Sequence, residues 1–195
     1  MTEPRNILIG LGNPGRQYAR SRHNVGFMLI DRLAHRLDAT GTRLQSKALV
    51  CSAPYEGRRI LLAKPQTYMN LSGHSVDALA RFYKLPLEHL LVAHDDLDLP
   101  LGTIRLRPGG GPGGQKGVAS AIERLGSRSF SRLRIGIGRP PGRMDPAAYV
   151  LQDFGAGELE ELAEVLDRAA QAAMVFVKEG IEPAMTKFNA PPQQP

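Results

Sequence analysis

The chain has 195 residues, 42% hydrophobic and 23% charged, which suits one globular domain over 1–195 with a single sizeable core. No apolar run reaches the ~18 residues of a membrane helix, the opening Met1-Thr2-Glu3-Pro4-Arg5 forms no apolar leader, and a lone cysteine, Cys51, rules out an intramolecular disulfide framework. A protein of the reducing cytoplasm is expected, and its net charge of +6, from 25 basic and 19 acidic residues, directs attention to anionic partners.

The first element is an apolar strand, Ile7-Leu8-Ile9, that breaks into a turn at Gly12-Asn13-Pro14-Gly15. After a short basic segment, His23-Asn24 opens an amphipathic helix over 23–38, with Phe27, Ile30, Leu33, Ala34 and Leu37 on one face. Two β runs, 48–55 and 59–64, are separated by Glu56-Gly57 and read as a hairpin, the second ending at Pro65. The segment 67–73 (TYMNLSG) leads into a helix bearing Val76, Leu79, Ala80 and Tyr83, with Asn70 or Ser72 as N-cap. A buried strand at 90–93 ends in His94-Asp95-Asp96-Leu97-Asp98, and an edge strand follows at 103–107.

A glycine-rich loop over 108–117 precedes a helix through Ala119, Ile122 and Leu125; a strand at 133–138 then leaves through a surface loop at 139–143. The longest helix is expected over 157–178, a short one over 183–188, and a frayed tail at about 190–195. Strands alternating with helices, plus one hairpin, predict an α/β fold: a single domain with a twisted mixed β-sheet flanked by helices on both faces. In such folds ligands bind at the carboxyl edge of the parallel strands. That places Asn13 and His23 facing each other across the candidate site.

Several motifs carry two readings. Gly10-x-Gly12-x-x-Gly15 matches a dinucleotide fingerprint, but Pro14 removes a backbone donor, the helix starts well past the third glycine, and no acidic residue closes the next strand. The glycines at 109–114 lack the Walker lysine–hydroxyl pair, so they form either a flexible connection or a backbone able to approach a phosphate or a peptide. Asp95 either caps a turn or accepts a hydrogen bond from an imidazole, fixing its tautomer; a shared metal ion is disfavoured because successive side chains of an extended segment point to opposite sides. Cys51 alternates with core residues and is expected to be buried. No Gly-x-Ser-x-Gly elbow is present, which leaves a general base acting on water. The arginines at 105, 107, 124, 128, 132, 134, 139 and 143 with Lys116 oppose an acidic run from Glu158 to Asp167, and this basic side is either a nucleic-acid face or a solvated one.

Together, Gly10–Gly15, Tyr18, Arg22-His23-Asn24, the TYMNLSG segment, HDDLDLP from His94, the glycine loop and RLRIGIG from Arg132 resemble, in order over nearly the whole chain, the bacterial peptidyl-tRNA hydrolase family. The resemblance implies a monomeric enzyme, without cofactor or metal, that cleaves the ester joining a peptide to the terminal ribose of tRNA and so recycles tRNA from stalled translation. It makes His23 the base that activates water and Asp95 the carboxylate that orients it. Asn13 and Asn70 become the amides that hold the peptide and the attacked carbonyl. Tyr18, Tyr68 and Met69 join the substrate-binding residues, and Arg107 and Arg134 clamp a tRNA phosphate. Family members carry His and Asn where this chain has Gln115 and Lys116; a lysine replaces an amide contact by a point charge, suited to phosphate. A non-catalytic RNA-binding protein on the same fold is the alternative.

Overall fold

The computed structural model describes residues 4–190. Met1, Thr2 and Glu3 of the opening stretch and the expected frayed tail at 191–195 lie outside the described residues. The chain runs β1 (Asn6–Gly10), α1 (Val25–Arg36), β2 (Thr40–Gln45), β3 (Ala48–Tyr55), β4 (Arg58–Pro65), α2 (Ser72–Phe82), β5 (Leu90–Asp96), β6 (Ile104–Arg107), α3 (Lys116–Leu125), β7 (Ser131–Gly136), α4 (Pro146–Val150), α5 (Leu159–Glu179) and α6 (Ile181–Phe188). The seven strands form one mixed sheet in the order β2-β3-β4-β1-β5-β7-β6. Its centre, β4-β1-β5-β7, is parallel, while β3 and β6 pair antiparallel at either side. The expected α/β domain is therefore observed.

β1 is buried at all five positions, as a central parallel strand covered on both faces requires. Alternation along the strands divides the core in two. Leu8, Leu62, Leu91 and Leu133 face α1, α5 and α6, whereas Ile7, Ile9, Leu61 and Val92 face α2 and α3. The arrangement sends the carboxyl ends of β1, β4, β5 and β7 to one edge.

Two glycines of the first loop explain themselves here. A methyl group at Gly10 would lie 2.0 Å from the Gly26 carbonyl oxygen, and one at Gly12 would strike the Phe27 ring. They let α1 press onto β1, a packing role that accounts for the fingerprint-like spacing without any nucleotide.

The differences from expectation are local. β2 was not anticipated. Its residues are almost all exposed, so no apolar alternation marks it, and its turn to β3 uses Ser46 and Lys47, both at positive φ, without the usual glycine or asparagine. The β3–β4 turn, Glu56-Gly57, has positive φ at both residues and does carry that signal. His23 and Asn24 sit in a 3₁₀ turn (Arg22–Asn24) before α1 rather than in the helix. Neither Asn70 nor Ser72 caps α2: Asn70 lies in the 3₁₀ turn Met69–Leu71, and Leu71 stands at the cap without a side-chain bond. β5 continues through Asp96, so His94 and Asp95 belong to the strand. β7 starts at Ser131, two residues before the expected start, and α4 emerges between the expected loop at 139–143 and the long helix, where no element was assigned. Cys51 is only half-buried, although burial still pushes its thiol up.

Gly26 is the contact on which α1 seats. A methyl group there would lie 2.6 Å from the Ala93 carbonyl oxygen and 2.6 Å from Leu11 N. Both atoms are backbone and cannot swing aside, so Gly26→Ala is expected to cost about 3 kcal/mol, seen as a lower midpoint in urea at unchanged slope.

Candidate active site

At the carboxyl edge lies an open cleft of about 670 Å³, lined by Asn13, His23, Tyr68, Met69, Asn70, Asp95, Asp96, Leu97, residues 113–116, and Asp145, Pro146, Ala147, Val150 and Leu151. Each parallel strand delivers part of it. The loop after β1 brings Asn13, the turn after β4 brings Tyr68, Met69 and Asn70, and β5 itself carries Asp95. The 3₁₀ turn ahead of α1 brings His23, and the start of α3 brings Gln115 and Lys116.

The centre is a buried pair. His23 Nδ1 lies 2.8 Å from Asp95 Oδ2, with the residues only 9% and 4% exposed. A carboxylate only accepts, so Nδ1 carries the proton and Nε2 keeps its lone pair. Nε2 has no partner among the described residues, and His23 lines the cleft. That is the tautomer a general base needs.

Around this pair the hydrogen bonds form a closed circuit. Gln115 Nε2 donates to Asp95 Oδ1 at 3.0 Å and to Met69 Sδ at 3.2 Å. The Met69 backbone N–H donates to Asn13 Oδ1 at 2.8 Å. Asn13 is held in turn by Asn24, whose Oδ1 accepts from Asn13 N and whose Nδ2 donates to Asn13 O, both at 2.9 Å. Asn24 follows His23 in sequence, which closes the ring. Asn13 therefore spends its side-chain oxygen on the scaffold and keeps only its Nδ2 without a partner among the described residues. The exposed Asn70 has its whole amide free of partners among them.

A second pocket, of about 310 Å³, lies beyond the glycine loop and is lined by His94, Asp96, Arg107, residues 109–113, Arg132 and Arg134. Strand alternation explains the division: Asp95 enters the first cavity and His94 the second. Arg134 is ion-paired with Asp96. Arg132 is buried and donates to the carbonyls of Gly110 and Gly111, anchoring the loop, while its guanidinium stacks on Phe130. Desolvation lowers the Arg132 pKa, and Arg134 and Arg128 add to that effect. Burial also pushes the His94 imidazole down. Its Nδ1 donates to the Asp95 carbonyl at 2.8 Å, and its Nε2 has no partner among the described residues.

Of the residues singled out in the sequence, Asn13, His23, Tyr68, Met69, Asn70, Asp95 and Lys116 meet at the cleft, and Arg107 and Arg134 meet at the basic pocket. Tyr18 does neither; it ends the 3₁₀ turn Arg16–Tyr18, half-buried and outside both linings. Gln115, noted in the sequence only as a departure from the family's histidine, and Asn24, noted only beside His23, were assigned no role, because a lone amide does not announce which groups it will bond. The wall at 145–151 escaped notice because α4 did.

That wall is tied to the turn that carries His23 by Arg22, whose guanidinium stacks 4.5 Å from the Tyr149 ring and 5.0 Å from the Phe154 ring. Its two Nη atoms reach Glu158 at 2.9 and 2.7 Å. Arg22 holds the Glu158 carboxyl below the usual carboxylate range.

The sequence profile of the peptidyl-tRNA hydrolase family matches residues 7–195. The chain is 48% identical to the peptidyl-tRNA hydrolase of Mycobacterium avium over 191 residues, covering 97% of this chain and all of that one. Identity to the Nocardia farcinica enzyme of the same name is 46% over 184 residues, 94% of this chain and 95% of its relative. The crystal structure of peptidyl-tRNA hydrolase from Acinetobacter baumannii superposes with a TM-score of 0.89 at 34% identity, covering 97% of each chain.

Because folding lowers the Glu158 pKa, the Arg22 pairing stabilises the protein above the ordinary carboxyl value of 4.5 and is lost as pH falls through the depressed folded value. Glu158→Gln, which leaves the buried Arg22 charge uncompensated, is expected to cost about 2 kcal/mol at pH 7. The difference in thermal midpoint from wild type should shrink as pH is lowered from 7 to 3.

Proposed function

This chain belongs to the peptidyl-tRNA hydrolase family, and on that premise we propose how its residues divide the reaction. It hydrolyses peptidyl-tRNA, an ester of a peptide with the terminal ribose. His23 Nε2 takes a proton from water, and the water oxygen attacks the ester carbonyl carbon. Asp95, holding Nδ1–H, keeps the imidazole in the productive tautomer and stabilises the imidazolium that forms. The carbonyl oxygen, gaining negative charge, meets the free amide of Asn70, with Asn13 Nδ2 on the same cleft. Collapse of the tetrahedral species breaks the bond to the ribose oxygen, which recovers its proton from His23. The single observation that carries this division of roles is the 2.8 Å contact of His23 Nδ1 with Asp95 Oδ2 inside the cleft.

Arg107 and Arg134 suit a phosphate of the tRNA, and the adjoining backbone of the glycine loop lets that phosphate come close. Lys116, exposed at the first turn of α3, adds a positive point charge on the cleft wall. The scheme calls on no residue of a second copy, and the reading is that of a monomer. The expected setting is the cytoplasm, where stalled or abortive translation leaves the substrate; among the described residues no helix is long and apolar enough to cross a membrane. A non-catalytic RNA-binding protein on the same fold is not favoured, since binding alone does not call for a base held by a buried carboxylate.

Two outcomes are expected. In a peptide-release assay on N-blocked aminoacyl-tRNA with chelator present, His23→Ala should lose at least ~10²-fold in kcat while retaining the wild-type unfolding midpoint within a few degrees. Arg134→Ala should weaken tRNA binding and lower the slope of log Kd against log salt by about one unit per lost phosphate contact. An unchanged slope removes Arg134 from the clamp.

A further inference from the structure

Gln115, an amide where the family resemblance leads one to expect histidine, sits where three parts of the cleft meet. Its side chain is fully committed. Oε1 accepts from Val118 N at 2.8 Å as the N-cap of α3, which fixes the orientation of the amide. Nε2 is therefore aimed at Asp95 Oδ1, 3.0 Å away, and at Met69 Sδ. The residue is buried, so this donor does not exchange freely with water. Asp95 thus has one oxygen on His23 and the other on Gln115, and it cannot rotate about its carboxyl axis without losing a charge-assisted bond.

We propose that Gln115 is a positioning residue for hydrolysis. It is a neutral, non-titrating donor that holds the Asp95 carboxylate in the plane of the His23 imidazole and links that geometry to the start of α3 and the end of the glycine loop. The proposal rests on the assignment of His23 as base and Asp95 as its partner. A titratable side chain in the same place would make the dyad's geometry depend on its own proton; an amide does not. The other charged groups on the cleft are Asp96 from β5, Lys116 from α3 and Asp145 ahead of α4. Arg22, beside His23, is already engaged with Glu158.

Gln115→Glu and Gln115→Met separate this role from mere helix capping. A glutamate still accepts from the Val118 N–H, so a residue that only caps α3 tolerates it. As a positioning residue it fails in a pH-dependent way: protonated, it donates to Asp95 as the amide does; ionised, it sets two carboxylates side by side. The expected kcat/KM of Gln115→Glu is bell-shaped, falling on the alkaline side where wild type stays on its plateau. Gln115→Met should lower kcat on the order of tenfold or more with KM within about twofold, and without a new limb.

The ¹⁵N shifts of the His23 imidazole in free protein provide a readout independent of turnover. In Gln115→Glu they should change over the same pH range as the new limb. Superimposable pH profiles and imidazole shifts for wild type and Gln115→Glu overturn the proposal. Persistent turnover by His23→Ala would instead overturn the assignment of the base, and the imidazole shifts would still show whether Gln115 governs Asp95.

Discussion

The hydrogen bond between His23 and Asp95 is the constraint on which the rest of the site depends. A buried carboxylate is costly unless every oxygen is satisfied, and here the two oxygens take one donor each, from the turn before α1 and from the cap of α3. The first of these donors arrives because α1 packs closely on β1 and β5. Gly10 and Gly26 remove the side chains that would hold the helix away. The His23–Asp95 distance thus depends on backbone packing in the first strand–helix unit. The circuit through Asn24, Asn13, Met69 and Gln115 then stiffens the same geometry, leaving His23 Nε2, Asn13 Nδ2 and the amide of Asn70 without partners among the described residues at the cleft. Asn13 illustrates the economy of the arrangement, since one side chain holds Met69 with its oxygen and presents its nitrogen to the cleft.

The glycine loop separates two environments of different character. On one side is the cleft, with a buried base–carboxylate pair and apolar walls from Leu97, Val150 and Leu151. On the other is a basic pocket with three arginines and a histidine whose pKa burial lowers. Adjacent residues of β5 face the two, Asp95 one way and His94 the other, so a single strand end contributes to both cavities. Arg132 spends its charge on the loop carbonyls rather than on solvent, which fixes the wall that both cavities share. A substrate that is an ester at one end and a polyanion along its length matches this division, and the proposed reading assigns the scissile carbonyl to the cleft and a phosphate to the basic pocket.

Much of this was legible in the sequence, and the limits have physical causes. The central strands declared themselves through unbroken apolar runs, and α1, α2 and α5 through their apolar stripes. The order of those elements implied the sheet edge where Asn13 and His23 meet, and the family resemblance added Asn70 and Asp95, which line the same cleft. β2 was invisible because it is an exposed edge whose turn residues, Ser46 and Lys47, adopt positive φ against their own preference. Tyr18 stood out by its place in a familiar stretch, yet a 3₁₀ turn carries it away from the cleft. Gln115 is the reverse case. Its importance lies wholly in what folding places beside it, a carboxylate 20 residues away and a thioether 46 residues away in sequence. Local pattern records periodicity and turn chemistry; it does not record which buried acceptor a lone amide will meet.

The most direct test of the account is the single-turnover rate of peptide release by Asp95→Asn at saturating enzyme. An amide offers one acceptor where two donors converge, so it cannot hold His23 in its productive tautomer and satisfy Gln115 as well. The account predicts a loss on the order of 10³–10⁴-fold in the chemical step, with tRNA affinity nearly unchanged. A rate within a few fold of wild type would contradict it, because the buried pair would then be a structural contact and the base would have to be sought elsewhere in the cleft.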